Sequence, residues 1–98
     1  MIVRWTNLAI EHLADIHEYI ARTSASYAVG MIDRLIRRAE QIGNFPYSGR
    51  IVPEKNDASV RELLEGPYRL IYRIRTERID IVAVIHGARD WESRETEI

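Results

Sequence analysis

The sequence predicts an α+β fold: an N-terminal strand and an antiparallel helix hairpin packed on one face of a twisted antiparallel sheet. Three observations lead there. Two consecutive segments in the first half carry apolar residues at helical spacing, and three segments in the second half carry strand patterns between turn residues. The chain has 98 residues, 46% of them hydrophobic and 30% charged, which supports one core and leaves no room for a second. Residues 1–98 are therefore read as a single domain.

Each element follows from local chemistry. Ile2 to Trp5 is a β-branched and aromatic run of edge-strand type. Thr6 or Asn7 can cap the helix that follows, whose apolar face is Ala9, Leu13, Ile16 and Ile20 and which runs to about Arg22. Thr23 to Ser26 interrupts the pattern, and either serine can cap a second helix with Val29, Ile32, Leu35, Ile36, Ala39 and Ile42 as its apolar positions. Gly43 reads as a left-handed stop, with Pro46 beyond it. Gly and Pro punctuate an irregular stretch from Asn44 to Ser59. Strands are predicted at Val60–Leu64, Tyr68–Arg75 and Ile79–His86, with a Gly66-Pro67 turn between the first two and a polar tail from Gly87.

Composition excludes several classes of function. With no cysteine there is no disulfide scaffold, thiolate zinc site or cysteine nucleophile. His12 and His17 are five apart on one helix and do not project together, so no metal site is expected. The glycines lack phosphate-loop spacing, and no cofactor is expected. The opening residues lack the pattern of a secretion signal, and no apolar run approaches the roughly 20 residues of a membrane span. A cytoplasmic protein without membrane contact is expected. The net charge of −1 gives no support to a dedicated nucleic-acid binder.

Strand parity aims the side chains. If the turn between the last two strands has even length, Leu70, Tyr72 and Ile74 join Ile79, Ile81, Ala83 and Ile85 on one apolar face under the helices. An odd turn would instead bury Arg69 and Arg73 among isoleucines, at a cost of several kcal/mol without partners. The even turn predicts an opposite face of Arg69, Ile71, Arg73, Asp80, Val82, Val84 and His86, joined by Glu62 and Leu64. Its apolar centre calls for a cover, either the tail with Trp91 or another protein.

Several stretches, in this order, resemble the RelE/ParE toxins of type II toxin–antitoxin systems over nearly the whole chain. They are Trp5-Thr6 before Ala9, Asp15-Ile16 and Tyr19-Ile20, then Pro46, Gly49-Arg50 and Val60-Arg-Glu-Leu63. The most specific are Gly66-Pro-Tyr-Arg-Leu-Ile-Tyr-Arg73 and Val84-Ile-His-Gly-Ala-Arg89, whose phrasing is closer to the ParE branch. The resemblance implies a cognate antitoxin that wraps the toxin and adds to a sheet edge. It also implies one of two targets: DNA gyrase for ParE-like members, or mRNA on the ribosome for RelE-like ones.

In the RNA-cutting branch, Arg69 and Arg89 match two arginines, the first of which contacts the scissile phosphate. The tyrosine expected a few residues on is missing, and Val60 and Glu62 stand where that branch has lysines. Three readings follow. The first is an interaction protein that engages gyrase, with Arg61, Arg69, Arg73, Val82, Val84, Arg89 and Trp91 as the partner-binding set. The second is an endoribonuclease in which Arg69, Arg89, His86 and Glu62 handle the phosphate and its protons. The third is a degenerate member that binds antitoxin but is not toxic. Whether the chain is an enzyme is thus left open, as is its assembly as a homodimer or a toxin–antitoxin hetero-oligomer.

Overall fold

The computed structural model describes residues 1–92. The tail beyond Glu92, including the segment where the RNA-cutting branch carries its tyrosine, lies outside the described residues. In chain order the elements are β1 (Ile2–Trp5), α1 (Asn7–Ala21), α2 (Ala25–Asn44), β2 (Arg50–Ile51), β3 (Val60–Glu65), β4 (Tyr68–Ile74) and β5 (Arg78–His86). The strands form one sheet in the order β1-β5-β4-β3-β2. It is antiparallel except at one edge, where β1 lies parallel to β5. The helix hairpin packs on one face, as the sequence predicts.

Both helices start on the hydroxyl caps read from the sequence. Thr6 Oγ1 accepts from Ala9 N at 3.2 Å, and Ser24 Oγ accepts from Tyr27 N at 3.1 Å. Thr6 also donates its hydroxyl to Ile81 O at 2.8 Å, fixing the start of α1 to β5. In α1 the inward positions are Ala9, Ile16 and Ile20, with Leu13 half-buried beside them. In α2 the buried stripe is Ala28, Met31, Leu35, Ala39 and Ile42. Val29 and Ile36, expected inside, point outward at 61% and 38% exposure. Ala28 and Met31, absent from the apolar positions read from the sequence, take the inward places instead, while Leu35, Ala39 and Ile42 are buried as expected.

Gly43 is a second correction. It lies within α2 and has no left-handed backbone; Gly66, in the β3–β4 turn, is the glycine with positive φ, +55°. Gly43 is needed for clearance, because a Cβ there would sit 2.9 Å from the Val3 side chain and 3.0 Å from Met1 O.

The β4–β5 connection has even length, with Ile74 opposite Ile79. The apolar row therefore begins as expected: Leu70, Tyr72, Ile74, Ile79 and Ile81 all join the cluster beneath the helices. Val82 then breaks the alternation. Tyr72 pairs with Ile81 but its neighbour Ile71 pairs with Ala83, so Val82 is an extra residue, a β-bulge. Every later side chain of β5 changes sides. Val84 turns under the helices, while Ala83 and Ile85 turn to the opposite face.

That opposite face has its own small core of Val52, Val60, Ile71, Val82, Ala83, Ile85 and Trp91. The loop after β2 and the folded-back tail supply its cover, resolving the alternative left by the sequence in favour of the tail.

Candidate functional site

The predicted site residues divide between the two faces of the sheet. On the face away from the helices, Arg69 stands opposite Leu64 on β3 and Ile85 on β5, next to Glu62. Its side chain is 6% exposed, and all five of its N–H groups are engaged. Nε and Nη2 donate to Glu62 Oε1 at 2.8 and 2.6 Å. Nη1 and Nη2 donate to the two oxygens of Glu54, each at 2.8 Å, and Nη1 also donates to Arg89 O at 2.9 Å. A guanidinium offers five donors in a fixed fork, so none is left over for a ligand.

The network extends in both directions. Arg50 Nε donates to Glu62 Oε2 at 2.6 Å, and Trp91 N donates to Glu54 Oε2 at 2.9 Å. The hydrogen bonds from Arg69, helped by that from Trp91 N, outweigh the upward push of burial and hold the Glu54 carboxyl at about 2. Glu54 in turn raises the pKa of Arg69. Together these contacts tie the loop after β2, the middle of the sheet and the tail into one unit. Lys55 lies 5.7 Å over the Trp91 ring and completes the cover.

His86 does not join Arg69. The bulge places it on the helix side, opposite Tyr68, with the two rings edge-on and their centroids 6.1 Å apart. Its Nδ1 accepts from Ala88 N at 3.2 Å. The sheet separates this imidazole from the Arg69–Glu62 pair, contrary to the face expected from simple alternation. Glu62 is 1% exposed and both its oxygens are taken by arginines, which leaves it no room for proton transfer to a substrate.

The expected partner-binding set is corrected in the same way. Val82, Val84 and Trp91 are 3%, 2% and 8% exposed, because the bulge and the tail bury them. Arg69 is withdrawn into its ion pairs. Arg61 is half-buried on the other face of β3, where it donates to Gly49 O and Ala58 O and stacks 4.9 Å from the Tyr47 ring. Arg73 is largely buried, with 19% of its side chain exposed, and Arg89 is exposed.

The sequence reading missed Glu54, Asp80 as a hub, and His12. Asp80 is wholly buried and accepts from Arg4 Nε at 3.0 Å, Arg78 Nε at 2.9 Å and Arg75 Nε at 3.1 Å. Burial alone would raise this carboxyl, but the three guanidinium groups outweigh it and hold it at about 2. Alternation would have put Arg4, Arg73, Arg75, Arg78 and Asp80 on one face had the parallel pairing of β1 been known. His12 Nδ1 accepts from Val84 N at 3.0 Å, satisfying the edge of β5 beyond the reach of β1. Among the described residues no group of His, Asp or Glu side chains could hold a metal ion.

A third feature is a groove along α1, lined by His12, Asp15, Ile16, Tyr19, Tyr68 and His86. The hairpin also exposes apolar side chains: Ile10 at 51%, Tyr19 at 68% and Tyr27 at 52%.

The arrangement is a hairpin-covered sheet with two buried ion-pair hubs, at Arg69 and at Asp80. Residues 3–91 match the family described as "ParE toxin of type II toxin-antitoxin system, parDE". The chain belongs to the ParE toxin family of type II toxin–antitoxin systems, and membership implies a cognate antitoxin. It is 31% identical over 91 residues to a Sinorhizobium fredii protein described as "Putative toxin Y4kP", covering 91% of each chain. It is 33% identical over 88 residues to "Toxin RelE2" of Caulobacter vibrioides, covering 89% of this chain and 96% of that one. A solved structure described as "Chromosomal ParDE TA system from P. aeruginosa" shares the fold, with a TM-score of 0.73 and 21% identity over 88% of this chain and 95% of that one. Among the described residues, no helix is long and apolar enough to cross a membrane.

Proposed function

We propose that this toxin acts by binding, as an inhibitor of DNA gyrase, and that its antitoxin neutralises it by covering the helix hairpin and an open sheet edge. The observation that carries this reading is the state of Arg69. The residue that would grip the scissile phosphate in an RNA-cutting toxin has all its donors spent within the fold. The other three candidate catalytic residues do not complete a phosphate site around Arg69, since Glu62 is buried between arginines and His86, with Arg89 beside it, lines the groove along α1 on the other side of the sheet. Electrostatic stabilisation of a phosphorane-like transition state needs unspent donors aimed at one point. A toxin that needs no chemistry of its own is consistent with this arrangement.

The antitoxin part is supported by the exposed Ile10, Tyr19 and Tyr27, and by the edge strands β1 and β2, whose outer backbone groups can pair with an added strand. Such a partner would also stabilise a small domain by mass action.

The test is to induce the chain in cells without antitoxin and assay gyrase–DNA cleavage complexes and mRNA ends together. Cleavage complexes without codon-phased mRNA cuts are expected. Codon-phased cuts that disappear in Arg89→Ala would replace this proposal with the nuclease reading, and unaffected growth would support a degenerate member.

A further inference from the structure

The end of the sheet bearing the β4–β5 turn carries a group of arginines of which only Arg73 belongs to the partner-binding set of the gyrase reading. On the face away from the helices, Arg4 on β1, Asp80 on β5 and Arg73 on β4 are direct register partners, forming one row across three strands. Arg78 on β5 and Arg75, just past the end of β4, flank that row, with Arg75 N donating to Arg78 O at 2.8 Å. Asp80 lies wholly buried at the centre, while the side chains of Arg4 and Arg78 are 51% and 50% exposed.

The geometry of the pairing matters more than the count. Both Arg4 and Arg78 touch Asp80 through Nε, at 3.0 and 2.9 Å, which fixes each stem while about half of each side chain stays open to solvent. One buried carboxylate thus pre-orders several guanidinium groups whose charge it does not cancel. Beside them Arg73 reaches Asp57 only at 3.8 Å, and its Nε is buried without a hydrogen-bond partner. Asp57 and Glu77 stand at the rim.

Held arginines of this kind suit anionic oxygens approached from solvent. The surroundings decide which anion. A peptide interface draws most of its energy from large apolar anchors seated in pockets. Here the row continues into buried Val60, and Ile2, in register with Arg78, is the exposed apolar neighbour. No aromatic ring joins these rows for a base to stack on. We infer that the Arg4–Arg73–Arg78 surface binds the phosphodiester backbone of a nucleic acid, by charge and without reading its sequence. The inference stands apart from the gyrase proposal and holds or fails on its own test.

The test is fluorescence anisotropy with a labelled duplex DNA of arbitrary sequence, repeated with a duplex RNA and with polyglutamate, at pH 7 and several salt concentrations. The expected result is weak, sequence-independent binding whose log K falls with log salt by about 0.9 for each phosphate contact. In Arg4→Gln/Arg78→Gln the slope should shrink by about 2 and binding at low salt should weaken roughly tenfold. Arg37→Gln, on the outer side of α2, should change neither.

Because the double variant also removes partners of Asp80, Ile2→Glu is the companion. It sets a carboxylate beside Arg78 without touching the Asp80 contacts, and it should weaken binding while circular dichroism stays unchanged. The DNA and RNA arms tell which backbone is preferred. Absence of duplex binding at low salt, binding unaltered in both variants, or capture of polyglutamate in preference to either duplex would overturn the inference.

Discussion

Replacing Arg69 by alanine leaves two carboxylates without their main partner. The Glu62 side chain is fully buried and that of Glu54 is a quarter exposed, so neither can recover its hydration without opening the tail. Removing one member of a buried ion pair typically costs about 3–5 kcal/mol. At about 0.05–0.15 kcal/mol per residue, a domain of this size has on the order of 5–15 kcal/mol in all. Arg69→Ala should therefore consume a large share of the stability, and at about 4–8 °C per kcal/mol it should lower Tm by more than about 10 °C.

Urea unfolding followed by circular dichroism at pH 7 gives the energy directly, provided the m value is unchanged. A companion variant, Arg69→Met with Glu54→Gln and Glu62→Gln, removes the orphaned charges and should recover part of the loss. A loss below about 1 kcal/mol in Arg69→Ala would refute the view that this arginine is spent on the fold, and would return it to the list of ligand-binding groups.

Three further outcomes are expected. Gly49→Ala should destabilise by about 1–3 kcal/mol, because its Cβ would lie 2.5 Å from Glu62 O and 2.6 Å from Tyr72 Oη; Gly30→Ala, in an open part of α2, should stabilise by roughly 0.5–1 kcal/mol, and paired thermal melts check both. Trp91→Ala should cost about 3 kcal/mol and expose the second core to a hydrophobic dye; an unchanged melt would mean that the tail is not seated as described. Glu54 and Asp80 are held at about 2, below their ordinary values of 4.5 and 3.8, so the stability they contribute is complete above about pH 4.5 and lost as pH falls toward 2. With allowance for the partial exposure of Glu54, that is on the order of 2 kcal/mol each, and melts of Glu54→Gln should depend less on pH in that window than those of the parent.

Much of this fold was legible because local signals agreed with one another. The hydroxyl caps at Thr6 and Ser24, the Gly66-Pro67 turn and the even β4–β5 connection each follow from side-chain chemistry or from the cost of burying Arg73 under helices. What escaped the sequence has physical reasons. The α2 stripe runs through Ala28 and Met31, and small or flexible side chains leave a weak periodic signal beside Val29 and Ile36. The parallel pairing of β1 is a long-range fact that no local pattern encodes, so the row from Arg4 to Arg73 stayed hidden. Strand β2 spans only Arg50 and Ile51, too short to alternate.

The site was harder to read than the fold. Arg69 and Glu62 were correctly placed on one face, but a loop residue, Glu54, decides what Arg69 is free to do, and loop positions cannot be aimed by periodicity. His86 went astray because alternation was carried across Val82, which reads in sequence as an ordinary strand valine.

The extra residue at Val82 makes the length of β5 a switch with two settings. Upstream of it the odd-numbered positions Ile79 and Ile81 face the interior shared with the helices; downstream the odd-numbered Ala83 and Ile85 face the one closed by Trp91, and Val84 turns under the helices instead. Exchanging one side chain for another along this stretch is a graded change, felt where it is made. Losing or gaining a single residue between Ile79 and Ile85 is of another kind, since it reverses the sidedness of everything that follows and delivers the tail to the wrong surface. Variation in this last strand should accordingly be tolerated in composition and forbidden in odd steps of length.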